Sequence, residues 1–96
     1  MSYELIGKLI VKSETIQVSE KFKKREFVVE QEDNNGGKVF INKVKFQLTQ
    51  DRTSLIDDLY EGNDVKVSFN IKGTEWEKEG NTNYFTNLDA WKIERV

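Results

Sequence analysis

The run VKVSFNIKG, residues 65 to 73, alternates without a break. Val65, Val67, Phe69 and Ile71 are apolar, and Lys66, Ser68, Asn70 and Lys72 between them are polar. A period of two marks a strand with one buried face, and a chain made of such strands must close sheet over a core. The same period recurs elsewhere. Leu5, Gly7, Leu9 and Val11 alternate with Glu4, Ile6, Lys8 and Ile10 in a first strand, where Gly7 reads as a bulge or bend. SETIQVSEKF stays strand-like but polar. Phe27 and Val29 define a second strand from about residue 22 to 31, and Val44, Phe46 and Leu48 a third. EDNNGG between them is the clearest turn, because Asn and Gly tolerate positive φ. After VKVSFNIKG and the polar connection TEWEKEGNTN, the segment YFTNLDAWKIERV reads as the last strand.

Between the third and fourth strands the period changes. QDRTSLIDDLYEGND places Leu55, Ile56 and Leu59 on one face of a short helix, with Asp51 or Thr53 as its N-cap and Gly62 at its end. Connections this short do not allow parallel crossovers, so the sheet is antiparallel or mixed. Three strands, a short helix and two strands is the order of the OB-fold, an all-β, five-stranded Greek-key barrel with its helix between strands three and four. A plain five-stranded α+β sheet is the alternative. With 96 residues and no internal repeat, residues 1–96 make one domain.

Composition removes most chemistry. The chain has no cysteine and no histidine, so thiol chemistry, zinc-thiolate sites and the commonest general base are absent. Asp57 and Asp58 are adjacent and point about 100° apart on a helix, which rules out a close carboxylate pair. No loop has calcium-site spacing, and NNGGK lacks the P-loop frame. The expectation is a non-enzyme without metal, cofactor or small-molecule substrate. No segment reaches the roughly 18 apolar residues of a membrane span, and no secretory signal opens the chain, so a cytoplasmic protein is expected.

The net charge is only −2, but its distribution is uneven. KFKKR, residues 21 to 25, carries four positive charges, and KVFINKVKFQL, residues 38 to 48, carries three and no negative one. The rest of the chain therefore holds −9.

From residue 60 onward, a glycine (Gly62) precedes an alternating strand (Val65, Val67), and Gly73 ends it. Trp76 follows, then a charged turn with Gly80, then Tyr84, Phe85, Thr86 and Leu88. This pattern resembles that of bacterial single-stranded-DNA-binding proteins. Upstream, VSEKFKKREFVVEQED is similar to a family of small bacterial OB domains of uncertain function related to them. The resemblance spans most of the chain from Val18 to Trp91 and implies the OB-fold. The segment around Trp76 is acidic, with Glu75, Glu77 and Glu79 against Lys78, where a DNA-contacting loop is ordinarily neutral or basic.

Single-strand binders combine a cationic groove along the phosphates with aromatic platforms for the bases. The candidate residues are Phe22, Lys23, Lys24 and Arg25 at the start of the second strand, Lys38, Lys43 and Lys45 along the third, and Trp76 and Tyr84 around the last connection. Trp76 is either a stacking platform or a lid folded onto the barrel end. Phe22 is out of phase with Phe27 and is expected on the surface. Phe40 shares the parity of Val44 and Phe46 and is expected in the core, as are Phe69 and Trp91, while Tyr84 can go either way. The expected function is binding of single-stranded DNA, with RNA second, without strong sequence preference and with homo-oligomers as a further expectation. The alternative is a protein-interaction or oligomerisation module, in which Phe22, Val39 and Ile41 form an apolar patch rimmed by the lysines.

Overall fold

Leu9, Phe27, Val29, Phe46, Leu48, Val65, Val67 and Phe69, the apolar halves of the alternating runs, are all buried in one cluster. The computed structural model describes residues 2–96. Among these the chain forms six strands: β1 Tyr3–Lys12, β2 Ile16–Ser19, β3 Phe22–Asn35, β4 Lys38–Thr49, β5 Asp64–Lys78 and β6 Asn81–Arg95. A 3₁₀ segment, Gln50–Ile56, lies between β4 and β5.

β1 pairs antiparallel with β5 and, from Lys8 on, with β3. β3–β4 and β5–β6 are antiparallel hairpins. β4 and β6 close the ring through one parallel contact, Gln47 opposite Asp89. The cycle β1-β5-β6-β4-β3 is the five-stranded barrel of the OB-fold, with β2 added as a four-residue strand outside β3. Aromatic rings pack along its axis. Phe27 and Phe46 stack with centroids 5.3 Å apart, and Phe46 meets Phe69 edge-on at 5.0 Å.

Gly7 sits where β1 passes from β5 to β3. The bulge expected there lies instead between Leu9 and Val11. What Gly7 permits is close approach: a Cβ at this position would stand 2.4 Å from the Glu30 carbonyl oxygen and 2.6 Å from a Val29 methyl. Gly7→Ala is therefore expected to cost about 1–3 kcal/mol, the usual toll of overpacking. A urea midpoint equal to that of the parent would refute it.

The expected α-helix is a 3₁₀ segment. Its buried side chains, Thr53 and Ile56, and Leu59 just beyond, recur every three residues, the period at which 3₁₀ side chains eclipse. Leu55, expected on the buried face, is exposed for that reason. Neither Asp51 nor Thr53 caps the start: the N-cap position is Thr49, and the Thr53 hydroxyl donates to the Gln50 carbonyl instead.

The strands outrun the barrel. β3 and β4 stay paired to Asn35 and Lys38, and β5 and β6 to Lys78 and Asn81. EDNNGG and TEWEKEGNTN are thus mostly strand, with the reversals confined to Gly36-Gly37 and Glu79-Gly80. All four of those residues have positive φ, as two-residue hairpin turns of type I′ require. Phe40, expected in the core, is 50 % exposed because its strand has left the barrel at that point. Trp91 also lies outside the core cluster, and its indole N–H donates to the Ser2 hydroxyl at 2.8 Å. Since β4 and β6 run parallel where they meet, both hairpins project from the same end of the barrel.

Candidate nucleic-acid interface

The β5–β6 ribbon extends seven rows beyond Ile71 and Leu88, about 23 Å at strand rise. Directly opposed residues of an antiparallel pair share a face, and successive rows alternate. One face carries Lys72 with Asn87, Thr74 with Phe85, Trp76 with Asn83 and Lys78 with Asn81. The other carries Ile71 with Leu88, Gly73 with Thr86, Glu75 with Tyr84 and Glu77 with Thr82. Alternation has sorted the charges: two lysines and no acid lie with the indole, and two glutamates and no base lie behind it. The acidity around Trp76 in the linear sequence is therefore not the acidity that its ring faces.

Trp76 is 57 % exposed and Phe85 55 %, and they are diagonal neighbours, about 7–8 Å apart by sheet geometry. The indole is exposed on the ribbon and is not a lid folded onto the barrel end. Tyr84, 74 % exposed, stands on the opposite face with Glu75 and cannot join Trp76 in one stack. Phe85, Lys72 and Lys78 are the residues that the charge count and the aromatic spacing missed. Their signal was present in the two-residue period of K-G-T-E-W-E-K, once that segment is taken as strand.

The outward face of β3–β4 holds Lys24, Lys43 and Lys45, interleaved with Glu26, Glu30 and Glu32. Glu30 lies directly opposite Lys43, and Lys45 reaches Glu26 at 3.4 Å. Such an exposed pair is worth about 0–1 kcal/mol and leaves the ammonium free to exchange partners. Phe22 shares this outward parity at the start of β3 and is half-buried. Lys23 has the inward parity and is held at the rim, where its backbone N–H donates to the Gln50 side chain, which in turn donates to the Lys21 carbonyl.

Two expected cations leave the site. Arg25 has the parity of Phe27 and Val29, so its guanidinium points inward and is buried. It donates to the Ser13 carbonyl at 2.7 Å, the Thr53 carbonyl at 3.0 Å and the Asp57 carboxylate at 2.5 Å. These bonds tie the 3₁₀ segment to the β1–β2 connection, use three of the five guanidinium donors and hold the group buried, away from a phosphate on the outward face. Lys38 has the parity of Phe40 and Val44 and lies at the ribbon tip, on the face away from Lys43 and Lys45.

The remaining groups form one surface. Gln47 shares its face with Lys43 and Lys45, and Asp89 shares its face with Asn87 and Phe85. The Gln47 amide N–H₂ donates to the Asp89 carboxylate across the seam. Beyond that contact β4 and β6 diverge around an open cleft of about 380 Å³, whose walls include Lys43, Lys45, Gln47, Thr86, Asn87 and Leu88. Lys92 and Glu94, paired at 2.8 Å toward the other end of β6, hold each other ionised: the Lys92 ammonium is raised and the Glu94 carboxyl lowered by their mutual hydrogen bond. Among the described residues no group of three or more acidic, His or Cys side chains could hold a metal ion.

Comparison with known proteins agrees with the fold. The mitochondrial single-stranded DNA binding protein Rim1 of S. cerevisiae superposes with a TM-score of 0.70 at 11 % identity, over 100 % of this chain and 94 % of Rim1. The single-stranded DNA binding protein of Thermus aquaticus gives 0.77 at 18 % identity, over 99 % of this chain and 49 % of that protein, so the present chain spans about half its length. At these identities the likeness establishes the fold. No curated protein matches the sequence. A family model described as a domain of unknown function, DUF3127, matches residues 4–94.

Proposed function

The chain belongs to the DUF3127 family, a domain of unknown function, and we propose that it binds single-stranded DNA, by base stacking and phosphate contacts and without catalysis. The observation that carries this reading is the sorted β5–β6 ribbon, where Trp76 and Phe85 lie exposed between Lys72 and Lys78 on a stretch of one face that holds no acid, Asp89 lying beyond it toward the barrel. Bases stack on the two rings, a contact that tolerates any base because every base has a π-face. The phosphates pass Lys72 and Lys78 and cross the seam to Lys43 and Lys45, with Lys24 at the far end of the track. That Rim1 and the T. aquaticus protein are single-stranded DNA binding proteins supports the reading. The platform alone does not distinguish RNA, which is an arm of the test. Homo-oligomers would place several such short sites in series on one strand.

The test is fluorescence anisotropy of labelled oligonucleotides, DNA and RNA, at several salt concentrations. Five cations meeting phosphates give a slope of log K against log salt of roughly −3.5, about −0.7 for each contact on a single strand. Lys72→Glu with Lys78→Glu is expected to weaken binding and flatten the slope by about 1.4. A slope that stays the same in this variant would remove the ribbon from the track.

A second reading has an observation of its own. Val39, Phe40 and Ile41 are all exposed near the tip of the β3–β4 ribbon, a feature of protein-contact surfaces. Absence of oligonucleotide binding at low salt would make that tip, and a protein partner, the better account.

A further inference from the structure

We infer that the cleft between β4 and β6 is a pocket for one nucleobase, and that the Gln47 carbonyl oxygen selects a base with an exocyclic amino group. The inference rests on the single-strand reading above and adds to it a preference that stacking alone cannot give.

The cleft measures about 380 Å³ and is open to solvent. That is toward the lower end of the range for small-molecule sites, about 300–1,000 Å³. Val44, Phe46 and Leu88 contribute apolar wall, Gln47, Thr86 and Asn87 contribute neutral polar groups, and Glu26 adds a carboxylate that is paired with Lys45. Lys43 and Lys45 flank it on the β4 side, where the phosphates of a threaded nucleotide would lie. It also adjoins the stacking platform, because Asn87 lies two residues after Phe85 along β6 on the same face.

Selection follows from the chemistry of one amide. A primary carboxamide has a donor end and an acceptor end, and free rotation lets it serve either kind of partner. The Gln47 amide has lost that freedom, because its N–H₂ group donates to the Asp89 carboxylate, which can only accept. That leaves one N–H and the carbonyl oxygen, and the oxygen is the only acceptor the amide can turn to a ligand. It accepts, so it complements the amino groups of adenine, cytosine and guanine. Thymine and uracil carry carbonyl oxygens at those positions, and their one donor, the ring N3–H, lies between two oxygens that would both meet the Gln47 acceptor. Asn87, whose amide is not fixed in this way, can turn to match whichever edge the base presents beside that group.

The experiment compares oligonucleotides of equal length with the intact chain at low salt. Oligo(dC) is expected to bind about 3- to 10-fold tighter than oligo(dT), the equilibrium ratio of roughly one net hydrogen bond. An oligomer of deoxyadenosine is expected to exceed, by the same factor, one built from the purine nucleoside that lacks the amino group; this pair controls for stacking. Gln47→Leu should erase both differences, with circular dichroism showing that the barrel is intact. Equal affinity for all the oligomers, or a preference that survives Gln47→Leu, overturns this inference and leaves the single-strand reading in place. Failure of every oligomer to bind overturns both.

Discussion

Replacing Trp76 and Phe85 together by alanine is expected to weaken binding of labelled single-stranded DNA by about 30- to 1,000-fold, from about 1–2 kcal/mol for each base that loses its platform. Trp76→Ala alone is expected to cost about 5- to 150-fold, the wider range measured for single stacked bases. Both rings are more than half exposed on a two-stranded ribbon outside the core cluster, so their removal leaves the barrel's unfolding midpoint nearly unchanged. Tyr84→Ala is the internal control. It removes a ring like that of Phe85, and an even more exposed one, from the same ribbon but from the glutamate-bearing face. It should leave affinity within about 2-fold, since no base can stack there and still follow the lysines. Equal losses from Tyr84→Ala and Trp76→Ala would show that general ribbon integrity matters and the sorted face does not, and would sink the proposal.

Phe46→Ala is expected to destabilise the fold by about 3–5 kcal/mol, the usual cost of removing a buried phenyl ring. A domain of this size has about 5–15 kcal/mol in total, so the loss takes a large share of it. The site is unusually exposed to such a change because Phe46 links two neighbours: it stacks on Phe27 and meets Phe69 edge-on, joining the β3–β4 hairpin to β5. It also lies one residue from Gln47, at the only row where β4 and β6 pair. A cavity there opens the core toward the cleft, where water can enter. Phe46→Leu keeps most of the volume and should cost about 1.5 kcal/mol or less. Equilibrium urea unfolding, with the same slope for parent and variants, measures both. A loss below about 1 kcal/mol for the alanine variant would mean that the three rings do not act as the core's central contact.

The barrel was legible because its strands are half-buried, and half-burial writes a period of two into the sequence. Leu9, Val29, Leu48 and Val67 could each be assigned to the core from their neighbours alone. The same rule misplaced Phe40, because alternation persists along a ribbon after the core that explains it has ended. Arg25 falls among the candidate ligands when the positive charges of KFKKR are counted without regard to parity. Arg25 lies two residues before Phe27 and four before Val29, so a regular strand turns it inward, where three oxygen acceptors hold it. The 3₁₀ segment was read as α-helical because Leu55, Ile56 and Leu59 fit a period of 3.6. The spacing of three in Thr53, Ile56 and Leu59 was equally visible, but Thr53 does not look like a core residue until its hydroxyl is seen to find a backbone carbonyl. At the site, the rings and lysines could be named, but their grouping could not. Whether Glu75 opposes or accompanies Trp76 depends on whether the segment is loop or strand, and that is decided by its partner across the ribbon, ten or fewer residues away.

Both ribbons leave the barrel through one rim, and the molecule therefore has a front and a back. The lysine-and-ring surface begins at that rim and runs backward across the seam, with no symmetry to equate its two ends. A polynucleotide is likewise directional, its sugars all facing one way along the chain. Under the proposed function, a lopsided surface favours one sense of such a polymer over the other, so molecules lined up on a single strand would lean toward the same terminus, like roof tiles laid from the eaves.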